Sequence, residues 1–296
     1  MKPTLMPVLI LGCGYVGRRL ARQLRCEGVA VTGVVRSAES AEKLRALGVC
    51  AIEADLDAPT PIPPLPTAGV ELYYFMPPPG NGEGDPRLRR MLATIDRTAL
   101  PARIVYISTS GVYGDCHGDW VDETHALSPA TPRAWRRLDA ETALREWSET
   151  TGVPIVILRV PGIYGPGKLP LERLRQRLPL LREADSPYTN RIQVDDLIAV
   201  CRAAMQRGRP GAVYNVSDGQ PSNMTDYFNR IAARTDLPRP PVIGREDIDA
   251  LSPGMRGFME ESKRLDNRRM REELGVELRY PTLEAGLEAC LSETSS

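Results

Sequence analysis

The chain has 296 residues, and its 38 basic and 38 acidic side chains leave no net charge. A neutral chain has no whole-molecule field to draw in phosphate backbones, which argues against nucleic acid as a partner. Its hydrophobic fraction of 42% is enough for a sizeable core, and no apolar run approaches the roughly 20 residues of a membrane helix.

The stretch Met1–Val16 is apolar enough to pass for a leader. It lacks a small-residue cleavage site and runs into a glycine motif followed by Arg18 and Arg19, so it reads as a first buried strand. The elements expected next are a strand at Pro7–Leu11, a helix at Tyr15–Cys26, a strand at Val29–Val35, a helix at Ala38–Leu47 and a strand at Val49–Ala54. A Pro-rich loop, Pro59–Pro66, precedes a strand at Leu72–Met76, a helix at Pro86–Thr98 and a strand at Arg103–Ser108. A helix at Pro132–Thr150 and a strand at Pro154–Val160 follow. The strands are continuous apolar runs, as in a parallel sheet covered on both faces. Repeated strand–helix units make this α/β, a Rossmann-type doubly wound sheet. Beyond, Gly165–Ser186 reads as helical, Val194–Gln206 as a helix and Val213–Val216 as a strand. Ser222 is the expected cap of a helix to Thr235, Asp266 that of one ending at Gly275, and Pro281 opens the last. Residues 1–164 and 191–217 are thus expected to form a dinucleotide-binding domain, and 165–190 with 218–296 a smaller, mainly helical lobe.

The six cysteines (Cys13, Cys26, Cys50, Cys116, Cys201 and Cys290) form no CxxC pair, and His117 and His125 are not spaced with them as zinc ligands. No metal is expected, and the thiols, Cys26 and Cys50 included, read as buried and reduced in a cytoplasmic protein.

Gly12-Cys13-Gly14-Tyr15-Val16-Gly17 fits G-x-G-x-x-G between a strand and a helix. The first glycine makes the turn, the second admits a pyrophosphate, and the third lets helix and strand close up. An NAD site would put a carboxylate at the end of the second strand; here stand Arg36 and Ser37. A guanidinium pairs with a 2′-phosphate, which favours NADP over NAD. Asp55 is placed either to accept from an adenine amino group or to cap a turn. Met76 and Pro77, where the fourth strand ends, complete the expected cofactor-facing set.

Further on, Ile107-Ser108-Thr109-Ser110-Gly111-Val112-Tyr113-Gly114, Leu158-Arg159-Val160-Pro161-Gly162-Ile163-Tyr164-Gly165-Pro166-Gly167, Arg191-Ile192-Gln193-Val194-Asp195-Asp196 and Tyr214-Asn215-Val216 follow in order. With the glycine loop, they resemble the motifs of the extended short-chain dehydrogenases/reductases, the NAD-dependent epimerase/dehydratase superfamily, in an atypical branch. The resemblance implies that Thr109 holds a substrate oxygen, with Ser110 beside it where sugar dehydratases keep a carboxylate. It implies that Pro161 and Gly162 border the nicotinamide, and that Arg191 meets a substrate phosphate unless it pairs with Asp195 or Asp196. It also implies a homodimer through helices near residues 86–98 and 132–150.

The departure is the family's Tyr-x-x-x-Lys pair, which falls at Arg133 and Arg137 of Pro132-Arg133-Ala134-Trp135-Arg136-Arg137. A guanidinium does not give up its proton, so Arg133 cannot be the acid/base; Arg137 can still hold the nicotinamide ribose. The one literal Tyr-x-x-x-Lys, Tyr164–Lys168, encloses Gly165-Pro166-Gly167 and will not form a helical turn. Tyr113, Tyr164 and His117 are the substitute acids, Tyr164 also serving as a substrate contact. The expected activity is an NADP-dependent oxidoreductase or epimerase acting on a small oxygenated substrate, with sugars and nucleotide sugars among the candidates. The alternative is a non-catalytic NADP-binding sensor or partner-binding module.

Overall fold

The computed structural model describes residues 5–292. Lys2 and the head of the expected leading strand lie outside the described residues. The apolar runs form a seven-stranded sheet: β1 (Val8–Leu11), β2 (Val31–Val35), β3 (Cys50–Glu53), β4 (Glu71–Tyr74), β5 (Arg103–Thr109), β6 (Ile155–Val160) and β7 (Val213–Asn215). The strand order is β7-β6-β5-β4-β1-β2-β3. Val8 lies opposite Val31 on one side and Glu71 on the other, both in parallel register. The order reverses at β1, so the carboxyl ends of β1 and β4 flank the crevice such sheets use for ligands.

The helices are α1 (Tyr15–Cys26), α2 (Ala38–Arg45), α3 (Pro86–Thr94), α4 (Pro132–Thr151) and α5 (Val194–Arg207). Gly17, Leu20, Ala21 and Leu24 of α1 are buried at helical spacing. Ser37 and Asp85 cap α2 and α3 through Ser40 N–H and Leu88 N–H. Leu9, Leu11, Leu72, Tyr74, Leu88, Tyr106, Leu144 and Ile157 belong to one apolar cluster.

Two compact units divide the chain. One takes the chain up to Thr109 with Pro132–Arg159 and Ile198–Tyr214; the other takes Ser110–Thr131, Val160–Leu197 and the chain from Asn215 on. Residues 110–131, 160–164, 191–197 and 215–217, expected with the dinucleotide half, fall in the second unit. The reason is local pairing: Gly162–Tyr164 forms its own parallel ladder with Arg191–Gln193. This unit has a separate core around Tyr164, Leu181, Phe228, Ile231 and Leu287.

Several local expectations are corrected. Within Gly165–Ser186 only Leu171–Arg175 is α-helical, and Leu180–Leu181 is a strand paired with Val242–Ile243. Pro166, Pro170 and Pro179 interrupt the segment too often for a longer helix. The helix Met224–Thr235 is capped by Asn223, whose side chain accepts from Asp226 N–H, and not by Ser222. Cys26 and Cys50 are exposed, because one ends α1 and the other lies on the edge strand β3. Apart from these corrections, Trp135 of α4 is 47% exposed and Trp147 packs on the core. Among the described residues no helix is long and apolar enough to cross a membrane.

Candidate dinucleotide site

Gly12 and Cys13 both donate their N–H groups to the Val34 carbonyl, at 3.2 and 3.1 Å, which pins the loop to β2. Gly12 sits at φ +79°, and a Cβ there would stand 2.5 Å from the Met76 nitrogen. Gly17 is also crowded, since a Cβ would meet Ile10 at 3.1 Å and the Cys13 sulfur at 3.4 Å. Gly14 is the reverse: a Cβ would find nothing nearer than the Gly12 oxygen at 4.0 Å. Two glycines thus permit close packing and the middle one leaves open space, as a pyrophosphate cradle requires. The N–H groups of Val16 and Gly17 lie in the first turn of α1, where no intrahelical acceptor exists and the helix end is positive. Tyr15 opens the helix, with the Arg19 guanidinium 4.1 Å above its ring. Cys13 is buried, and burial pushes its thiol up to about 12.

Arg36 is exposed and makes no hydrogen bond or ion pair among the described residues. Its charge adds to the Arg87 hydrogen bond that holds Asp57 below the usual carboxylate range. The Ser37 hydroxyl caps α2, accepting from Ser40 N–H at 3.3 Å. Asp55 accepts from Asp57 N–H at 3.0 Å, so its carboxylate closes a turn. Pro77 is exposed, and its carbonyl accepts from Arg87 at 2.7 Å. Thr109 ends β5, half-buried.

Arg137 is 7% exposed and spans the carboxyl ends of β4 and β5. Its Nη1 donates to Ile107 O at 3.0 Å, Tyr106 Oη at 3.1 Å and Met76 O at 3.3 Å. Met76 therefore links the two halves of the site, its nitrogen against Gly12 and its carbonyl on α4. Glu141, one turn after Arg137, is fully buried. It accepts from Ser108 Oγ at 2.6 Å, from Arg159 at 2.8 and 3.2 Å, and from Arg145 at 3.1 Å. This carboxylate ties α4 to β5 and β6.

The second unit holds the remaining residues. Ser110 opens the 3-10 turn Ser110–Tyr113. Tyr113 is buried, and its hydroxyl donates to Asn215 Oδ1 at 2.7 Å. Tyr164 is buried with no hydrogen-bond partner on its hydroxyl, and burial raises that phenol far above its usual range. A Cβ on Gly286 would run into it. Lys168 follows in a turn closed by its N–H on Gly165 O, so Tyr164 and Lys168 share no helix. Gly162 is exposed and Pro161 half-buried. His117 is a surface residue whose Nδ1 lies 3.0 Å from the Asp115 carboxylate. Arg191 is buried, donates to Ser222 Oγ at 2.6 Å and Thr189 Oγ1 at 2.9 Å, and lies 4.6 Å over the Tyr227 ring. It pairs with neither Asp195 nor Asp196. Asp196 instead accepts from the Arg279 and Tyr280 N–H groups at 2.8 and 2.9 Å. The carboxylates that act on Arg191 are Asp218 first and Asp226 after it; burial raises the Asp218 carboxyl to about 6.

The description "NAD dependent epimerase/dehydratase family" matches residues 88–217. A structure of a conserved protein of unknown function from Silicibacter pomeroyi DSS is 35% identical, with TM-score 0.83 over 98% of this chain and 99% of that one. The chain belongs to the NAD-dependent epimerase/dehydratase family. Protein YeeZ of Escherichia coli (strain K12) is 27% identical over 93% of this chain and 96% of its own length. UDP-glucuronic acid 4-epimerase from Bacillus cereus, in complex with UDP-glucuronic acid and NAD, shares the fold at 18% identity and TM-score 0.75, over 98% of this chain and 100% of that one.

Two further residues of this family member, Arg136 and Asp85, belong to none of the motifs. Arg136 is 7% exposed and donates Nη1 to Gly82 O at 2.6 Å. Asp85, the N-cap of α3, is fully buried, with one oxygen accepting from Leu88 N–H. The available signals were the spacing of Arg133, Arg136 and Arg137 on one helix face, and an Asp-Pro helix start.

Proposed function

We propose that this family member binds NADP(H) and moves hydride to or from a small oxygenated substrate, of the sugar or nucleotide-sugar class, without a Tyr-x-x-x-Lys pair. The observation that carries this reading is the glycine loop, crowded at Gly12 and Gly17 and open at Gly14. In it the loop and the first turn of α1, with Tyr15 and Val16, hold the pyrophosphate, and Arg36 with Ser37 takes the 2′-phosphate. Asp55, Met76, Pro77, Pro161 and Gly162 border the dinucleotide, and Arg137 holds the nicotinamide ribose. When bound, the cofactor supplies hydride chemistry at C4 of its nicotinamide. Thr109, assisted by Ser110, donates to the substrate oxygen and polarises its carbonyl. Tyr164 and Arg191 serve the substrate. Arg133 cannot exchange a proton near neutral pH, and the Tyr113 hydroxyl already donates to Asn215. Water therefore delivers the proton to the reduced oxygen. The six free cysteines suit a cytoplasmic location, and a homodimer through α3 and α4 would cover Trp135.

The engagement of Tyr113 and the burial of Tyr164 favour a second reading, a dinucleotide-binding sensor or partner-binding module without turnover. Titration with NADPH, followed by a carbonyl-substrate screen that reads NADPH oxidation, separates the two. Turnover should fall about 10²-fold or more in Thr109→Ala, the effect of losing one oxyanion donor, while Arg133→Ala keeps measurable activity. Binding without turnover across the screen selects the sensor. A protein that binds neither NADPH nor NADH overturns both readings.

A further inference from the structure

We infer that the start of α4 carries an oxyanion site for a carboxylate or phosphate that is not part of the dinucleotide. Arg133, Arg136 and Arg137 lie at i, i+3 and i+4, on one face of the helix. They sit at the positive end of a 20-residue helix with no acidic residue in its first turn, where cations are disfavoured. Stability alone does not call for them there.

None of the three forms an ion pair among the described residues. Arg136 and Arg137 are each 7% exposed, yet the Nε of each is buried without a hydrogen-bond partner. Their bonds go to neutral acceptors: Gly82 O for Arg136, and Met76 O, Ile107 O and Tyr106 Oη for Arg137. Arg133 is exposed as a side chain, but desolvation of its head group and then the charges of Arg137 and Arg136 hold it below the usual arginine range.

The neighbouring carboxylates do not balance this charge. Asp139 is taken by Arg89 at 2.5 Å and by the Asp85 N–H at 2.7 Å. Asp85 accepts from Leu88 N–H with one oxygen and leaves the other buried and unpartnered; burial pushes it toward its neutral form, against the Leu88 N–H and the charges of Arg137 and Arg87.

Buried guanidiniums without a counterion are costly, and an anion with several acceptor oxygens relieves them. Planar forks recognise carboxylate and phosphate through paired N–H groups. The dinucleotide's phosphates are provided for at the glycine loop and Arg36. Arg137 faces the nicotinamide ribose in the proposed function, so Arg133 and Arg136 are left for the substrate, which makes that substrate an acid or a phosphate ester. The inference stands whether or not the protein turns over.

The test is calorimetric titration of the full chain with inorganic phosphate at low ionic strength, with and without saturating NADPH. Wild type should bind phosphate in both conditions. Arg133→Gln, which changes an exposed side chain and should fold normally, should weaken binding at least tenfold. Arg136→Gln should do the same if it folds, and Arg133→Gln decides if it does not. Gly14→Val should bind phosphate as wild type does. Equal affinity in wild type and Arg133→Gln, loss of binding in Gly14→Val, or competition by NADPH would each overturn the site.

Discussion

Replacing Glu141 by Gln tests whether α4 is held in place by a buried charge. Glu141 has no exposed surface and Arg159 is 3% exposed, so the substitution leaves the Arg159 guanidinium buried opposite a neutral amide. Arg145 is 34% exposed and can turn to solvent at little cost. Breaking one side of a buried pair costs about 3–5 kcal/mol. The low end already changes the folded-to-unfolded ratio about 10²-fold. Urea denaturation should show a lower midpoint at unchanged slope. The double variant Glu141→Leu/Arg159→Met removes both charges, and apolar replacement of a whole pair is often neutral or stabilising. It should regain most of the loss. A single variant within about 1 kcal/mol of wild type, or a double variant no better than the single, would show that Glu141 does not hold α4 in this way.

Gly14→Val should abolish NADPH binding, since its Cβ enters the space left open for the pyrophosphate; unchanged affinity by calorimetry removes the loop from the site. Arg36→Asp should reverse a preference of about tenfold for NADPH over NADH, a gap that salt narrows; equal wild-type dissociation constants would mean that Arg36 only faces solvent. Burial pushes the Asp218 carboxyl up to about 6 from its usual 3.8, so its contribution is present below the lower value and lost as pH rises through the upper. Wild type should lose about 2–3 kcal/mol more stability than Asp218→Asn between about pH 4 and pH 7, and parallel denaturation curves at the two pH values would contradict the raised pKa.

The glycine loop and the strand–helix alternation were legible because each is local: α1 spans the expected Tyr15–Cys26, and apolar runs mark every strand of the sheet. The segment after Gly165 was not, because its Leu and Arg content suits a helix while its prolines forbid one, and Leu180–Leu181 becomes a strand only through a partner 62 residues later. Tyr113 and Arg191 carried motif positions whose partners, Asn215 and Ser222, are distant in the chain. Cys26 and Cys50 misled for the opposite reason, since apolar neighbours in sequence say nothing about being at a helix end or a sheet edge.

The division of the chain bears on its synthesis. The polypeptide leaves the first unit at Thr109 and passes between the two units at Thr131, Arg159, Leu197 and Tyr214 before it ends in the second. Neither unit is one continuous stretch, so no single truncation can isolate either of them. On the ribosome, domains made from continuous sequence can fold as they emerge, but here the last strand of the large sheet, Val213–Asn215, appears only after most of the chain has been made. Until then β6 presents an unpaired edge, the kind of template on which nascent chains pair with the wrong strand. The exposed interval is set by translation time, and a chaperone or a pause in synthesis would act on this protein most strongly between residues 160 and 213.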